Sequence, residues 1–415
     1  MEPGTALSHI LDLLIILGAA KIGAEVMVRF KQPPVIGELL AGVVVGGSVL
    51  GLIHPEGDVI STLAEVGVIL LLFEVGMETD LGEFVKIGPQ AILVALIGII
   101  FPFGLGYYGS LALGLGEGST MVALFVGAAM TATSVGITAR VFADLKQLGS
   151  KEARTVIGAA VVDDILGLVI LATVVGAFQS GGEIEAGAIG LIALKAFGFF
   201  AGVILLGKVF AEPLFKFLLA MRVSGSLVVG AFIFAAITAV AAERLAGLAP
   251  IVGAFAAGMV VADTSHDTVI RERLRPIGLL LIPIFFLSIG AQVDLSALAS
   301  PKVLIAGGVI TLLAMAGKIL SGWGAFGQGI NRWVVGWGML PRGEVGLIFA
   351  SIGLSVGLVG PDVHGVIILM VVLTTLIAPM VLTRLLGKKS PETDFEDAAI
   401  LESTSPHVGG GDNPL

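Results

Sequence analysis

Apolar runs recur along the chain, each parted from the next by a short polar stretch. A helix needs about 20 predominantly apolar residues to span the hydrocarbon of a bilayer. On that measure the chain predicts thirteen spans: 8–29, 34–53, 59–77, 88–113, 119–143, 153–178, 186–210, 224–243, 246–262, 275–292, 302–326, 333–358 and 363–386. Polar residues break two of them. Span 5 carries Thr131-Ala132-Thr133-Ser134, and span 12 carries Pro341-Arg342-Gly343-Glu344. These are the fifth members of two six-span units, 1–6 and 8–13, and the intervening span 7 starts the second unit on the opposite face. The pattern predicts an all-α polytopic membrane protein with about 13 transmembrane helices and an inverted repeat. Paired interrupted helices in such repeats mark a transport site near the midplane.

Basic residues orient the chain. The loops and flanks of one side hold seventeen Lys and Arg, from Arg29 and Lys31 through Lys86, Arg140, Lys146 and Lys151 to Lys388 and Lys389. The other side holds only Arg244 and Lys302. The positive-inside rule therefore puts the N-terminus outside and the C-terminus in the cytoplasm, which an odd number of spans satisfies.

Composition agrees and narrows the chemistry. With 56% apolar and 13% charged residues, little mass remains for a soluble domain. The absence of cysteine excludes disulfides, thiolate metal sites and thiol catalysis. The net charge of −9 is scattered among loops and tail, so it indicates no nucleic-acid partner. The first apolar segment has neither a basic start nor an A-x-A cleavage site and reads as retained. Residues 1–386 form the membrane domain; 387–415 read as a short, disordered cytoplasmic tail. The charged stretch 263–274 reads either as a cytoplasmic interfacial helix or as a solvated linker. Among the 59 glycines, the step Gly42-x-x-x-Gly46 is a candidate close helix contact.

The informative chemistry lies within the spans. Asp163 and Asp164 sit in the middle of the apolar run 156–178. A carboxylate at such depth costs roughly 2.5–3.5 kcal/mol on insertion scales, so a pair points to use by a cation, a proton or both. Consecutive helical residues project about 100° apart, so the two face different surroundings. Lys318, deep in span 11, is the natural counter-charge for one of them, either as a static pair holding two helices or as part of a transport site. Thr131, Thr133 and Ser134 offer hydroxyls beside freed backbone carbonyls, the oxygen ligands that hard cations favour. Arg342 and Glu344 read as stabilisers of broken helix ends. Glu74 is either a proton-access residue or an interfacial one, and Glu38, Lys21, Glu25 and Lys195 read as snorkelling or interfacial. No histidine falls in the predicted site.

The segments TATSVGITARVF (131–142), VVDDILGL (161–168), AMAGKILSG (314–322) and PRGEVGLI (341–348), in this order, resemble the bacterial cation–proton antiporters, specifically the electrogenic sodium/proton branch of the monovalent cation:proton antiporter-2 group. The likeness covers the whole membrane region. It implies the sodium/proton antiporter fold, with spans 5 and 12 crossing. Spans 1–3 and 8–10 would form a dimerisation bundle in a homodimer, and spans 4–6 and 11–13 a core that moves as an elevator. Asp164 would carry sodium (or lithium) or protons, with Thr133 or Ser134 beside it, and Asp163 would pair with Lys318. The aspartate pair favours exchange of two protons per sodium, and no cofactor is implied. The setting is a bacterial-type plasma membrane. A potassium/proton antiporter of the same fold is the alternative. A cation channel is the alternative from another class, though no filter such as TVGYG occurs. No enzymatic motif (H-E-x-x-H, G-x-S-x-G or P-loop) appears, and an aspartyl protease would need its aspartates on separate helices.

Overall fold

Helices or paired half-helices occupy all thirteen predicted segments. The structure is a computed structural model that describes residues 6–53, 58–79, 81–179, 186–293, 300–327 and 329–386. The tail 387–415 expected to be disordered lies outside the described residues. In chain order the helices are α1 (Ala6–Arg29), α2 (Pro34–Val45), α3 (Asp58–Met77), α4 (Leu81–Ala112), α5 (Thr120–Thr131), α6 (Val135–Asp144), α7 (Lys151–Gln179) and α8 (Ala186–Ala220). They continue with α9 (Ser226–Ala241), α10 (Pro250–Ala262), α11 (Asp267–Ala291), α12 (Pro301–Leu320), α13 (Arg332–Gly338), α14 (Gly343–Ser355) and α15 (Pro361–Leu385). Among the described residues, eight helical segments are long and apolar enough to cross a membrane, and α2, α10 and α14 are shorter apolar helices. This is an integral membrane protein.

Two segments differ from the sequence expectation. Span 2 is helical only to Val45; beyond it, Leu50, Leu52 and Ile53 donate their amides back to Val44 and Val45, closing an irregular end around Gly46 and Gly51. The charged stretch 263–274 is not a separate helix. From Asp267 onward it is the start of α11, which runs on through Pro276 and Pro283 to Ala291. Its polar first turns carry Arg271, Arg273 and Arg275, and apolar residues follow directly.

Packing repeats with a seven-span offset. The contact α1–α2 matches α9–α10, α2–α11 matches α10–α3, and α4–α7 matches α12–α15. The inverted repeat is therefore present in the way the helices pair as well as in their order. Glycine makes the tightest of these contacts possible. A Cβ on Gly42 would strike the Leu287 carbonyl of α11, and one on Gly258 would strike the Phe73 carbonyl of α3. The candidate step at Gly42 and Gly46 is thus a real helix contact, with α11 as its partner.

The same pairings sort the helices into two packed groups. One comprises α1–α3 with α9–α11, and the other α4–α7 with α12–α15. Along their seam a narrow apolar cleft is lined by Leu39 and Val43 of α2, Gly290 of α11, Leu347 of α14, and Val372 and Leu376 of α15.

Candidate functional site

The site begins with two broken helices that meet. Residues 132–134 separate α5 from α6, and 339–342 separate α13 from α14. The Ser134 amide donates to the Pro341 carbonyl at 2.7 Å, tying the breaks together. Thr133 Oγ1 donates to Met339 O at 3.2 Å and Thr138 Oγ1 to Gly338 O at 2.6 Å, so side chains of one helix satisfy the last carbonyls of the other. A helix end without such partners would strand polar groups in an apolar interior.

Charge placement follows the helix dipoles. The C-terminal end of α5 bears partial negative charge, and Arg342 Nη1 donates to its Ala132 carbonyl at 2.5 Å. The N-terminal ends of α6 and α14 bear partial positive charge, and Glu344 stands between them. Ser134 Oγ donates to Glu344 Oε2 at 2.7 Å and accepts the Ile137 amide at 3.4 Å, capping α6. Gly343 opens α14 with φ +41°, a left-handed conformation that a side chain disfavours. A Cβ there would also press on Ser134 Oγ at 2.8 Å. Thr375 on α15 accepts the Gly343 amide at 3.0 Å, a support that an ordinary hydroxyl in an apolar run does not announce in the sequence.

Beside this crossing lie the aspartates of α7. Lys318 Nζ on α12 is 3.2 Å from each oxygen of Asp163, with lysine and aspartate 0% and 1% exposed. Gly98 brings α4 close to α12 here, since a Cβ there would sit 3.2 Å from Ser321 Cβ and 3.5 Å from Lys318 Nζ. Thr133 stands beside Asp163. Asp164 is buried, and its Oδ2 accepts no hydrogen bond. Asp163, Glu344 and Lys318 are the charged groups in electrostatic range of it. The arrangement is one neutralised acid next to one open acid, roofed by two broken helices. Thr131 is buried here too, but its hydroxyl donates back to Ala128 O at 2.7 Å, leaving the oxygen lone pairs for any further role.

The residues read as interfacial sort differently. Glu38 is not interfacial: only 2% is exposed, and its Oε1 lies 3.8 Å from Arg140 Nη2. Arg140, counted from sequence among the basic flanks, is 15% exposed and lies 2.9 Å from Asp144 through Nε. Both meet at the docking of α2 on α6, which is why neither looked buried in its own segment. Glu74 on α3 is half-buried against Gly278 of α11, and its Oε1 accepts no hydrogen bond. Lys21, Glu25 and Lys195 are exposed or nearly so.

The chain is similar to known proteins in sequence and in fold. The family described as sodium/hydrogen exchanger, transmembrane, matches residues 14–388. The high-affinity Na+/H+ antiporter NhaS3 of Synechocystis is 38% identical, over 89% of this chain and 88% of that one. The Na+/H+-K+ antiporter GerN of Bacillus cereus is 36% identical, over 91% of this chain and 96% of that one. The solved sodium proton antiporter MjNhaP1 of Methanocaldococcus jannaschii has the same fold, with a TM-score of 0.64, 20% identity, and coverage of 90% of this chain and 95% of that one.

Proposed function

Because the chain belongs to the sodium/hydrogen exchanger family, we propose that Asp164 is the carboxylate at which sodium and protons exchange. Its relatives are transporters rather than enzymes, and ion exchange requires no cofactor. The observation that carries the assignment is the open oxygen of a buried acid beside an acid already neutralised by lysine. A lone buried carboxylate is costly, and either a proton or a cation removes that cost. Only one of them occupies Asp164 at a time, which couples the two fluxes. Thr133 and Ser134, with the freed carbonyls of the breaks, supply the remaining oxygens, and Thr131 lies at their margin. Arg342 and Glu344 hold the crossing in shape. Glu74 serves the access route from the cytoplasmic side.

Exchange is electrogenic in this reading. Sodium at Asp164 weakens the Asp163–Lys318 contact, so a second proton leaves from that pair and two protons move per sodium. This places the chain in the electrogenic branch of the antiporter-2 group, with lithium as a further substrate. The group α4–α7 and α12–α15 moves as an elevator against α1–α3 and α9–α11, which form the dimerisation surface of a homodimer. The apolar cleft along part of their seam supports this, since it gives the groups an apolar stretch over which to slide. The Lys and Arg distribution supports an outer N-terminus and a cytoplasmic C-terminus in a bacterial plasma membrane.

Potassium as the exchanged cation is the second reading, favoured by the name of the Bacillus cereus relative. Proteoliposomes with an imposed pH gradient and a clamped potential separate the two. Dissipation with sodium and lithium, altered by voltage, is expected. Dissipation with potassium alone replaces the substrate, and dissipation with none of the three ions overturns the proposal.

A further inference from the structure

The seam between the helix groups holds a buried charge cluster that the exchange site does not use. Arg140 on α6 reaches Glu38 on α2 across the seam at 3.8 Å, and Asp144 on its own helix at 2.9 Å. Glu38 Oε2 accepts no hydrogen bond. Lys21 on α1 and Glu74 on α3 are the other charged side chains in electrostatic range. One turn before Arg140, on the same face of α6, Gly136 lies against Leu72 of α3, Phe285 of α11 and the Glu344 carboxylate. Arg140 therefore stands between the exchange site and the end of α6 that enters the loop 145–150, which carries Lys146.

The geometry points to Glu38 and Arg140 as a latch that closes the seam on the cytoplasmic side and parts when the exchange site opens there. This rests on the alternating-access reading above. The contact is suited to being broken. At 3.8 Å it is longer than a hydrogen bond, while the 2.9 Å pair with Asp144 lies within one helix and travels with it. Separating a buried ion pair is costly when each charge is left alone. Here each keeps an opposite charge in its own group, Asp144 at 2.9 Å from Arg140 and, at longer range, the exposed Lys21 for Glu38.

The chain has no cysteine, so Leu72→Cys, at a side chain 1% exposed, can report on the seam. The probe is a membrane-impermeant maleimide applied to right-side-out and inside-out vesicles, with and without sodium. Adding Glu38→Gln is expected to raise labelling severalfold from the cytoplasmic side alone, with sodium-driven exchange retained, while Arg140→Lys keeps the parent rate. Unchanged labelling in the Glu38→Gln variant, with labelling of the parent still responding to sodium, overturns the latch. An equal rise from both sides also overturns it, because that is local loosening. Labelling that responds to neither side nor sodium in any variant overturns the alternating-access reading instead.

Discussion

Lys318 Nζ lies 3.2 Å from both oxygens of Asp163, while the next residue, Asp164, keeps a buried Oδ2 with no hydrogen-bond donor. Adjacency on one helix makes this possible, because successive side chains diverge by about 100°. One aspartate faces α12 and is neutralised there. Its neighbour keeps an open oxygen, the one the proposed exchange would use.

Removing the lysine tests the pair as a structural element. Lys318→Gln strands a buried carboxylate and should destabilise the protein by about 3–5 kcal/mol. Combining it with Asp163→Asn should recover most of that loss, because both charges are then gone. Thermal unfolding of the purified protein in detergent measures both. A double variant as unstable as the sum of the singles would show that the two charges do not interact.

Asp163→Asn alone tests the charge count. With no charge to pair, Lys318 loses its reason to trade a proton during sodium binding. Exchange should continue at one proton per sodium and stop responding to an imposed potential. Voltage-driven sodium uptake at equal pH on both sides should disappear, and its persistence would refute the role given to Asp163.

The crossing has its own signature. Ser134→Ala removes the donor to Glu344 Oε2, in an acid whose Oε1 already accepts no hydrogen bond. A loss of about 1–3 kcal/mol is expected for an acceptor left unsatisfied in the interior. Glu344→Gln added to Ser134→Ala should cost little more, since the stranded charge is then gone. Unfolding temperatures of the two variants decide the matter.

Helix contacts built on glycine should be intolerant in both repeats. Gly42→Leu and Gly258→Leu each drive a side chain into a backbone carbonyl, of Leu287 and Phe73 respectively. Folded yield and unfolding temperature should fall sharply in both, whereas Gly47→Leu, where nothing lies within 4 Å, should behave like the parent.

Much of this was legible in the sequence because the bilayer imposes strong local rules. Apolar length located the spans, and polar residues at 131–134 and 341–344 located the breaks, since unsatisfied backbone is tolerated at that depth only in special places. Lys318 was readable as the partner of one aspartate because a lone ammonium there needs a counter-charge. Arg140 and Glu38 were not readable. Each lies near a helix end, and the contact of α6 with α2 that brings them together is invisible in either segment alone. Thr375 and Gly98 escaped for a similar reason: a threonine or glycine in an apolar run carries no signal until its neighbour across the interface is known. The charged start of α11 misled because two prolines and a cluster of arginines resemble a boundary, yet the helix runs through them.

The most direct test of the exchange site is sodium-driven proton movement in proteoliposomes, comparing the wild type with Asp164→Asn, a nearly isosteric change that removes the charge. Sodium should drive protons across the wild-type membranes, with an apparent sodium affinity that weakens as pH falls because protons compete for the same carboxylate. In Asp164→Asn this flux should be lost while the unfolding temperature is maintained or raised. Sodium-dependent proton flux at the wild-type level in Asp164→Asn would contradict the assignment of Asp164 as the exchanging group.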